Sequence, residues 1–304
     1  MKKAVRRMAL GAAVVAAAVF VGLAGVAGAA LFTETFDSQA SAAAHGWVAV
    51  DGDGPSNSDG GADLQAGWSV TELASSELPG DQSGEGRVRG SRGANTNMTY
   101  YADTDLGRTF SFADRFSASG RMDFGALSGN DYIGTGFTLG FFDRNATLTG
   151  SNFRNANYLV VGFYLNQEPN ALVYMGVQRS DASGNLPVSL FTGTTLVVSV
   201  ANDLLFAFNY DPTAGANGQG LPSGTITDAS TLGVTSFSID LTAANRTALA
   251  GGVLNSFGLV KPRAANPQAG YADWHFDDVT YSVPEPASLT LLATAGLLAL
   301  RRRR

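Results

Sequence analysis

The sequence predicts an all-β protein, an antiparallel two-sheet sandwich, on the basis of three observations. The 304 residues include 37 Gly, and together with abundant Thr, Ser, Asn and Asp these are typical of short strands joined by tight turns. Apolar side chains alternate along many short segments, as in half-buried strands. No strand–helix–strand rhythm occurs, which favours antiparallel over parallel sheets. A hydrophobic fraction of 45% is enough for a sizeable core.

The alternation defines the individual elements. Leu204, Phe206, Phe208 and Tyr210 form one apolar face, and Tyr158–Leu165, apolar on both faces, is predicted as a central strand. The full set of predicted strands is Leu31–Phe36, Trp68–Leu73, Phe116–Phe124, Tyr132–Phe142, Tyr158–Leu165, Ala171–Arg179, Thr195–Val200, Leu204–Tyr210, Val234–Leu241 and Trp274–Tyr281. One short helix is predicted at Ala243–Leu249, with Thr242 as N-cap. Residues 51–63 and 75–96 are predicted as loops.

Residues 1–30 have the pattern of a secretory signal. Lys2, Lys3, Arg6 and Arg7 form a charged start before a long apolar run. Ala27, Ala29 and Ala30 supply the small side chains that a signal peptidase requires, so cleavage is expected after Ala29 or Ala30. The alternative is an uncleaved N-terminal anchor, because the apolar run is long for a signal.

The C-terminal segment 283–304 combines three features in order. Pro284, Glu285 and Pro286 precede an uncharged apolar stretch, residues 287–300, and the chain then has a terminal basic cluster of Arg301, Arg302, Arg303 and Arg304. The stretch is shorter than the roughly 20 residues of a straight membrane-spanning helix. Arginines at its end can snorkel and favour a cytoplasmic position. A short transmembrane segment is therefore expected.

This arrangement resembles the PEP-CTERM sorting signal of Gram-negative bacteria, over about the last 22 residues. The resemblance implies recognition by an exosortase, a membrane protease-transpeptidase, and processing near Pro284-Glu285-Pro286 after transient anchoring. It also implies a cell-surface or extracellular location linked to exopolysaccharide and biofilm. The same tail is also catalogued as an ice-binding protein C-terminal domain, which says nothing about ice here. The alternative is a plain tail anchor.

The charge of the chain is uneven. The eight basic residues at the two ends leave 12 of the 20 Lys and Arg for residues 31–282, against 25 of the 26 Asp and Glu, so this body carries −13. An acidic body repels nucleic acid, which excludes nucleic-acid binding. The chain has no Cys, so no disulfide holds the fold.

The two ends of the body carry a second resemblance. Residues 32–37 (FTETFD) and 276–281 (FDDVTY) are similar to the first and last strands of concanavalin A-like, laminin G-like jelly rolls. In such folds the terminal strands lie side by side in one sheet. The resemblance implies that residues 31–282 form one jelly-roll domain between the signal and the sorting segment.

A calcium site is a further hypothesis. Glu34 shares a face with Phe32, so its carboxylate is predicted to point inward. The apolar phase of the last strand switches across Asp277 and Asp278, as at a bulge. If the terminal strands pair, these carboxylates approach one another, and Ca²⁺ takes such oxygen ligands readily. The alternatives are a charge that discourages strand addition or an Arg partner.

The sequence predicts no catalytic residues. The five Glu of the body do not form the closely spaced acid pattern of laminarinase-type glycoside hydrolases, although distant carboxylates can be assembled by the fold. His45 and His275 are too few for a His-rich zinc centre. The pair His275 and Asp277 is predicted to lie on the surface. Trp47, Trp68 and Trp274 are predicted to be core residues rather than a sugar-stacking platform.

The sequence therefore predicts an exported, non-catalytic surface or extracellular matrix protein. The alternative is a carbohydrate-binding module that takes the same export route and binds extracellular polysaccharide through exposed aromatic side chains or Ca²⁺. A glycoside hydrolase of the same fold is the remote alternative. Signal peptidase and exosortase are the expected partners during export, and the membrane is contacted through the C-terminal helix before processing.

Overall fold

The structure is a computed structural model, and it describes the greater part of the body. The described residues are 29–50, 65–69, 85–91, 99–107, 109–128, 136–145, 157–167, 170–181, 185–197, 203–261 and 271–284. The predicted loop 51–63, most of the predicted signal and the tail beyond Pro284 lie outside these ranges. Neither helix within them has the length and apolar character to cross a membrane.

Two antiparallel sheets face each other, and they contain almost all of the strands. The strands are β1 (Ala29–Glu34), β2 (Trp47–Val50), β3 (Gln65–Ser69), β4 (Glu85–Ser91), β5 (Thr99–Asp103), β6 (Phe110–Ser111), β7 (Phe116–Ser128), β8 (Gly136–Phe142), β9 (Tyr158–Gln167), β10 (Asn170–Arg179), β11 (Val188–Val197), β12 (Leu204–Asp211), β13 (Leu221–Asp228), β14 (Val234–Ser238), β15 (Val253–Leu254), β16 (Ser256–Lys261) and β17 (Tyr271–Pro284). The eight-stranded sheet has the order β14-β13-β12-β7-β17-β4-β3, with β1 also beside β17. The seven-stranded sheet has the order β11-β10-β9-β8-β16-β5-β2, and β15 pairs with β6. The predicted antiparallel two-sheet sandwich is confirmed.

The core lies between the inner faces of the two sheets and is rich in aromatic side chains. The ring of Phe141 lies 4.6 Å from that of Phe116 and 4.9 Å from that of Phe257, measured between centroids. Trp47 and Trp274 are both buried, as predicted. Full burial of each such side chain contributes about 1.5–3 kcal/mol. With no disulfide in the chain, this interdigitated layer holds the sheets together.

The predicted helix is confirmed, and its ends follow from its residues. The helix α2 (Ala243–Leu249) begins at Thr242, whose side chain accepts from the N–H of Asn245, while the Asn245 side chain bonds back to the N–H of Thr242. This reciprocal capping satisfies two otherwise unpaired donors. A second helix, α1 (Gln39–Ala44), was not predicted, and Ser38 caps its start. Three of its six residues are consecutive Ala, which are strong helix formers.

The terminal strands pair as predicted. β1 runs antiparallel to the end of β17, with Phe32 opposite Tyr281 and Glu34 opposite Val279. The register between β17 and β7 shifts between Asp277 and Thr280, and Asp278 has a left-handed φ of 49°. The predicted bulge is thus confirmed. It lets Phe276 and Val279 both face the core although they are three residues apart.

Several strands were missed or misplaced by the sequence patterns. β4 lies inside residues 75–96, which were predicted as a loop. It has few apolar residues, but β17 pairs with it on one side and β3 on the other, so partners rather than composition make it a strand. The strand expected at Thr195–Val200 begins earlier, as β11 from Val188. The pattern also missed β2, β5, β13 and β16.

Candidate functional site

The inward-facing carboxylate of Glu34 lies at the end of β1 and is only 2% exposed. One of its oxygens accepts a hydrogen bond from the N–H of Phe36 at 2.9 Å. The other lies 2.6 Å from Nδ1 of His45, which follows α1. Phe36 has a left-handed φ of 50°, and this turn brings its N–H back towards the carboxylate. The prediction that Glu34 points inward is confirmed, and a local turn and a histidine surround its charge.

A second buried carboxyl, Asp103, lies close to Glu34 between the sheets. Its Oδ2 accepts a hydrogen bond from the Tyr281 hydroxyl, and its Oδ1 accepts one from the N–H of Asp105 at 2.8 Å. Burial raises the pKa of Asp103, and the nearby Asp105 and Glu34 charges add to this, while the hydrogen bonds from Tyr281 and Asp105 oppose it. Burial also raises the pKa of Tyr281. The hydrogen bond from Tyr281 on β17 to Asp103 on β5 therefore links the two sheets, and the tyrosine hydroxyl stays protonated.

The three residues of the calcium hypothesis have different surroundings. Asp277 is buried on the face of β17 opposite to the core, whereas Glu34 points inward. Asp278 is exposed, at the left-handed position of the bulge. Within the described ranges, no group of three or more His, Asp and Glu side chains is arranged to hold a metal ion.

Calcium at this position stays a prediction. Its test is a thermal melt with and without a chelator. A lower midpoint after chelation supports the hypothesis, and an unchanged midpoint contradicts it.

The outer face of the eight-stranded sheet carries buried charge. Arg121 on β7 and Asp203 before β12 are 4% and 0% exposed, and the Nη2 of Arg121 lies 3.5 Å from the Oδ1 of Asp203. Asp277 lies directly opposite Arg121 in the register of β17 and β7. His275 and Asp277 are 3% and 1% exposed, so the prediction of a surface pair is wrong. Sequence alternation placed both side chains on one face but did not show that this face is buried there.

The outer face of the seven-stranded sheet carries aromatic rings on three neighbouring strands. We call Tyr158 on β9, Tyr174 on β10 and Phe191 on β11 the aromatic surface. The ring centroid of Phe191 lies 5.6 Å from that of Tyr174, at an interplanar angle of 72°, and 6.2 Å from that of Tyr158. Tyr158 is buried, Tyr174 is half-buried and Phe191 is 55% exposed. The surface therefore runs from a buried ring to one that faces solvent.

Glycines on the same face let these rings lie close to the sheet. Gly162 is opposite Tyr174, and a Cβ at Gly162 would come within 2.0 Å of the Cζ of that tyrosine. Gly176 lies under two rings, with its nearest contacts to Tyr158 at 3.1 Å and to Phe191 at 3.3 Å. Flat rings lying against a sheet present their faces or edges to whatever approaches from solvent.

A polar group fixes one side of the aromatic surface. The Oε1 of Gln178, on β10, accepts hydrogen bonds from the Tyr158 hydroxyl and from Oγ of Ser189, both at 3.1 Å. Burial raises the pKa of Tyr158, so its hydroxyl remains a donor at neutral pH. Among the side chains that the structure describes on this face of β9, β10 and β11, none is charged.

The sequence patterns did not identify the aromatic surface. Alternation shows which side chains share a face of one strand but not which strands are neighbours, and Phe191 lies outside the strand expected at Thr195–Val200. The signal that was present is the Gly placed between large residues on the same face, at Gly162 and Gly176.

The predicted processing sites at the two ends come together. Ala29, one of the residues of the expected signal cleavage site, lies opposite Pro284, the first residue of the sorting motif, in the register of β1 and β17. Ala30 lies opposite Val283. Glu285, Pro286 and Arg301 to Arg304 lie outside the described residues.

The described strands form an antiparallel β-sandwich of two large sheets, and comparison with solved structures finds proteins of similar fold. The chain is similar to the lectin from Bauhinia forficata in complex with GalNAc, with a TM-score of 0.46, 12% identity and coverage of 84% of this chain and 97% of that chain. It is also similar to the alginate lyase from Klebsiella pneumoniae, with a TM-score of 0.45, 7% identity and coverage of 78% and 95%. The likeness concerns the fold alone. No family model matches the chain, and no curated protein matches it.

Proposed function

We propose that the protein is an exported, exosortase-sorted, non-catalytic component of the bacterial surface or extracellular matrix. The observation that carries the proposal is the C-terminal order of Pro284-Glu285-Pro286, an uncharged apolar stretch and four arginines. The structure supports it in one respect. The last described strand, β17, ends at Pro284, the first residue of the sorting motif. A protease acting at the motif would leave the whole domain intact.

The body fits a role in a hydrated matrix. Residues 31–282 carry −13, as counted above from the sequence, which keeps such a domain soluble and repels polyanions. Its stability comes from a packed aromatic core without disulfides. In this proposal the N-terminal signal exports the domain, the tail holds it at the membrane, and exosortase releases or transfers it to the exopolysaccharide-rich surface.

The sorting motif is the point at which the proposal is tested. Replacing Pro284, Glu285 and Pro286 together with Ala in the native host should leave the precursor uncut, since the protease loses its recognition sequence. Immunoblotting for the size of the protein measures this. Pro187→Ala, in the exposed turn before β11, is the matched control for loss of a proline and should be processed normally. Mature-size protein from the triple variant would contradict the proposal and favour a plain anchor.

Polysaccharide binding is the second candidate function, and the aromatic surface favours it. Phe191 is more than half exposed beside the half-buried Tyr174, so the two rings together present an apolar surface to solvent. Aromatic rings stack against the apolar faces of sugar rings, and the exposed Ser189, hydrogen-bonded to the buried Gln178, adds a hydroxyl at the edge. Because the described side chains around it are uncharged and the body is acidic, a neutral polysaccharide suits it better than a polyanion.

A pull-down of the mature protein on neutral and anionic extracellular polysaccharides tests this candidate. Phe191→Ala should weaken binding to the neutral polysaccharide about tenfold, because stacking on one ring contributes on the order of 1 kcal/mol or more. Val234→Ala is the matched control, since Val234 is 62% exposed on the eight-stranded sheet. Equal binding by wild type and Phe191→Ala would remove this candidate and leave the matrix proposal untouched.

A further inference from the structure

The N-terminal strand β1 pairs with the C-terminal strand β17 up to the first residue of the sorting motif. β1 pairs with β17 over six consecutive residue pairs, from Glu34 opposite Val279 to Ala29 opposite Pro284. On this ladder the Oγ1 atoms of Thr33 and Thr280 lie 3.3 Å apart. The first proline of the motif is therefore the last residue of a paired strand. It occupies a strand end, where the missing N–H of proline costs least.

β17 is held on its other side as well. Ser282 lies opposite Ser117 of β7, and their Oγ atoms are 2.6 Å apart in a buried contact. Residues 280–282 thus have a strand on each side, β1 and β7. A segment paired on both sides does not fray independently of the sheet. The position of Pro284 relative to the domain is set by the fold and not by a loose linker.

The same pairing brings Ala29, at the end of the expected signal, opposite Pro284, the first residue of the sorting motif. The expected signal ends at Ala29 or Ala30 and the apolar tail follows Pro286, while paired residues of antiparallel strands are only about 4.5–5.5 Å apart at Cα. A signal that leaves its basic end in the cytoplasm and a tail that ends in cytoplasmic arginines enter the membrane from the same side. The closed β1–β17 pair is therefore compatible with a precursor still attached to the membrane.

We infer that β1 pairs with β17 while the tail still anchors the precursor, and that exosortase cuts the motif with this pair closed. The inference rests on the proposed sorting function and adds the state of the substrate to it. The protease would then receive a folded domain in which the first residue of the motif, Pro284, ends a paired strand. The order of events follows: export, closure of the sandwich by β1, then the C-terminal cut.

A disulfide between β1 and β17 tests both parts of the inference: that the two strands pair in the anchored precursor, and that exosortase cuts the motif while they are paired. Thr33→Cys with Thr280→Cys puts two thiols at directly opposed positions, and the chain has no other Cys, so every thiol that reacts with a labelling reagent comes from this pair. The exported side of the membrane is oxidising. The disulfide should form in the precursor that carries alanines at residues 284–286, and it should leave processing of the normal motif at the wild-type rate.

The controls separate failure of the inference from failure of the sorting function. Thr33→Cys with Ser236→Cys, on the distant edge strand β14, should keep two free thiols, and Thr33→Cys alone reports on folding. Free thiols at 33 and 280 in the uncut precursor would overturn the order of events. A disulfide-linked precursor that is not cut, beside a reduced one that is, would overturn cutting of the closed pair. If the alanine variant is itself cut to mature size, the sorting function fails instead.

Discussion

The two sheets share one apolar core but have opposite outer faces. The eight-stranded sheet buries Arg121, Asp203 and Asp277 on its outside, whereas the seven-stranded sheet carries the aromatic surface of Tyr158, Tyr174 and Phe191. Buried charges are costly and demand fixed partners, so they specify one arrangement of neighbouring strands. The ring of Phe191, which is 55% exposed, carries no charge that would need a buried partner. The difference indicates that the charged face contributes to the structure, whereas the aromatic surface includes a ring that faces solvent.

A similar contrast exists within the charged face. Arg121 and Asp203 are almost fully buried at 3.5 Å, while Arg115 and Asp211 are 46% and 35% exposed at 3.1 Å. The exposed pair has the shorter distance, yet water screens its attraction. Burial and not distance therefore decides which of the two ion pairs matters for stability, and mutation of each sharpens the comparison.

Removing the buried guanidinium of Arg121 should have the largest effect on the free energy of unfolding. Arg121→Ala leaves Asp203 buried without this guanidinium, and breaking such a pair costs about 3–5 kcal/mol in the free energy of unfolding. Chemical denaturation of the mature protein measures it. Arg115→Ala is the matched control and should cost less than about 1 kcal/mol. Arg121→Met combined with Asp203→Leu should recover part of the loss, because neither member of the ion pair is then left buried without the other. Equal costs for the two arginines would refute the comparison.

Crowding the aromatic surface should have an intermediate effect. Gly162→Ala places a methyl group within 2.0 Å of the Tyr174 ring, so the ring must move. We expect a loss of about 1–3 kcal/mol in unfolding free energy, together with weaker polysaccharide binding. Gly176→Ala is the control on the same face, since its nearest contact is 3.1 Å and only small shifts are needed. A Gly162 variant that binds polysaccharide as well as wild type would separate the ring of Tyr174 from the binding function.

Truncating the exposed ring should change binding more than stability. Phe191 is 55% exposed, so Phe191→Ala should alter the unfolding free energy by no more than about 1 kcal/mol. Denaturation and polysaccharide pull-down on the same preparation measure the two effects together. The opposite result, a large loss of stability with unchanged binding, would make the aromatic surface a structural feature like the charged face.

The positions of many strands could be predicted from the sequence, but the pairing of strands with their neighbours in the sheets could not. The bulge at Asp277 and Asp278 was predictable because side chains alternate along a strand, and a change of phase is visible in one segment. The capping of α2 by Thr242 was predictable because it depends on residues three apart. β4 was not, because its strand conformation comes from partners on β17 and β3 that are distant in the sequence.

The candidate sites show the same difference between features that lie within one segment and features that depend on contacts between distant strands. Alternation placed His275 and Asp277 on one face of their strand, but whether that face is exposed depends on the assembled molecule. The inward position of Glu34 was predictable, whereas its contact with His45 needed α1, which the sequence patterns missed. The aromatic surface combines three strands, and only the sheet order brings their rings together.

The smallest expected effect concerns the exposed pair and its pH dependence. Partial burial raises the pKa of Asp211, but hydrogen bonds from the hydroxyl and N–H of Thr213 and the nearby Arg115 outweigh it, so the pKa lies below its usual 3.8. A lowered folded-state pKa contributes stability that is present above pH 3.8 and is lost as the pH falls through the folded value. Because water screens this site, the contribution at neutral pH should not exceed about 1 kcal/mol. Asp211→Asn should therefore be slightly less stable than wild type at pH 7 and equal to it in strong acid, as measured by denaturant midpoints. A gap that persists at low pH would show that Asp211 acts through packing and not through its charge.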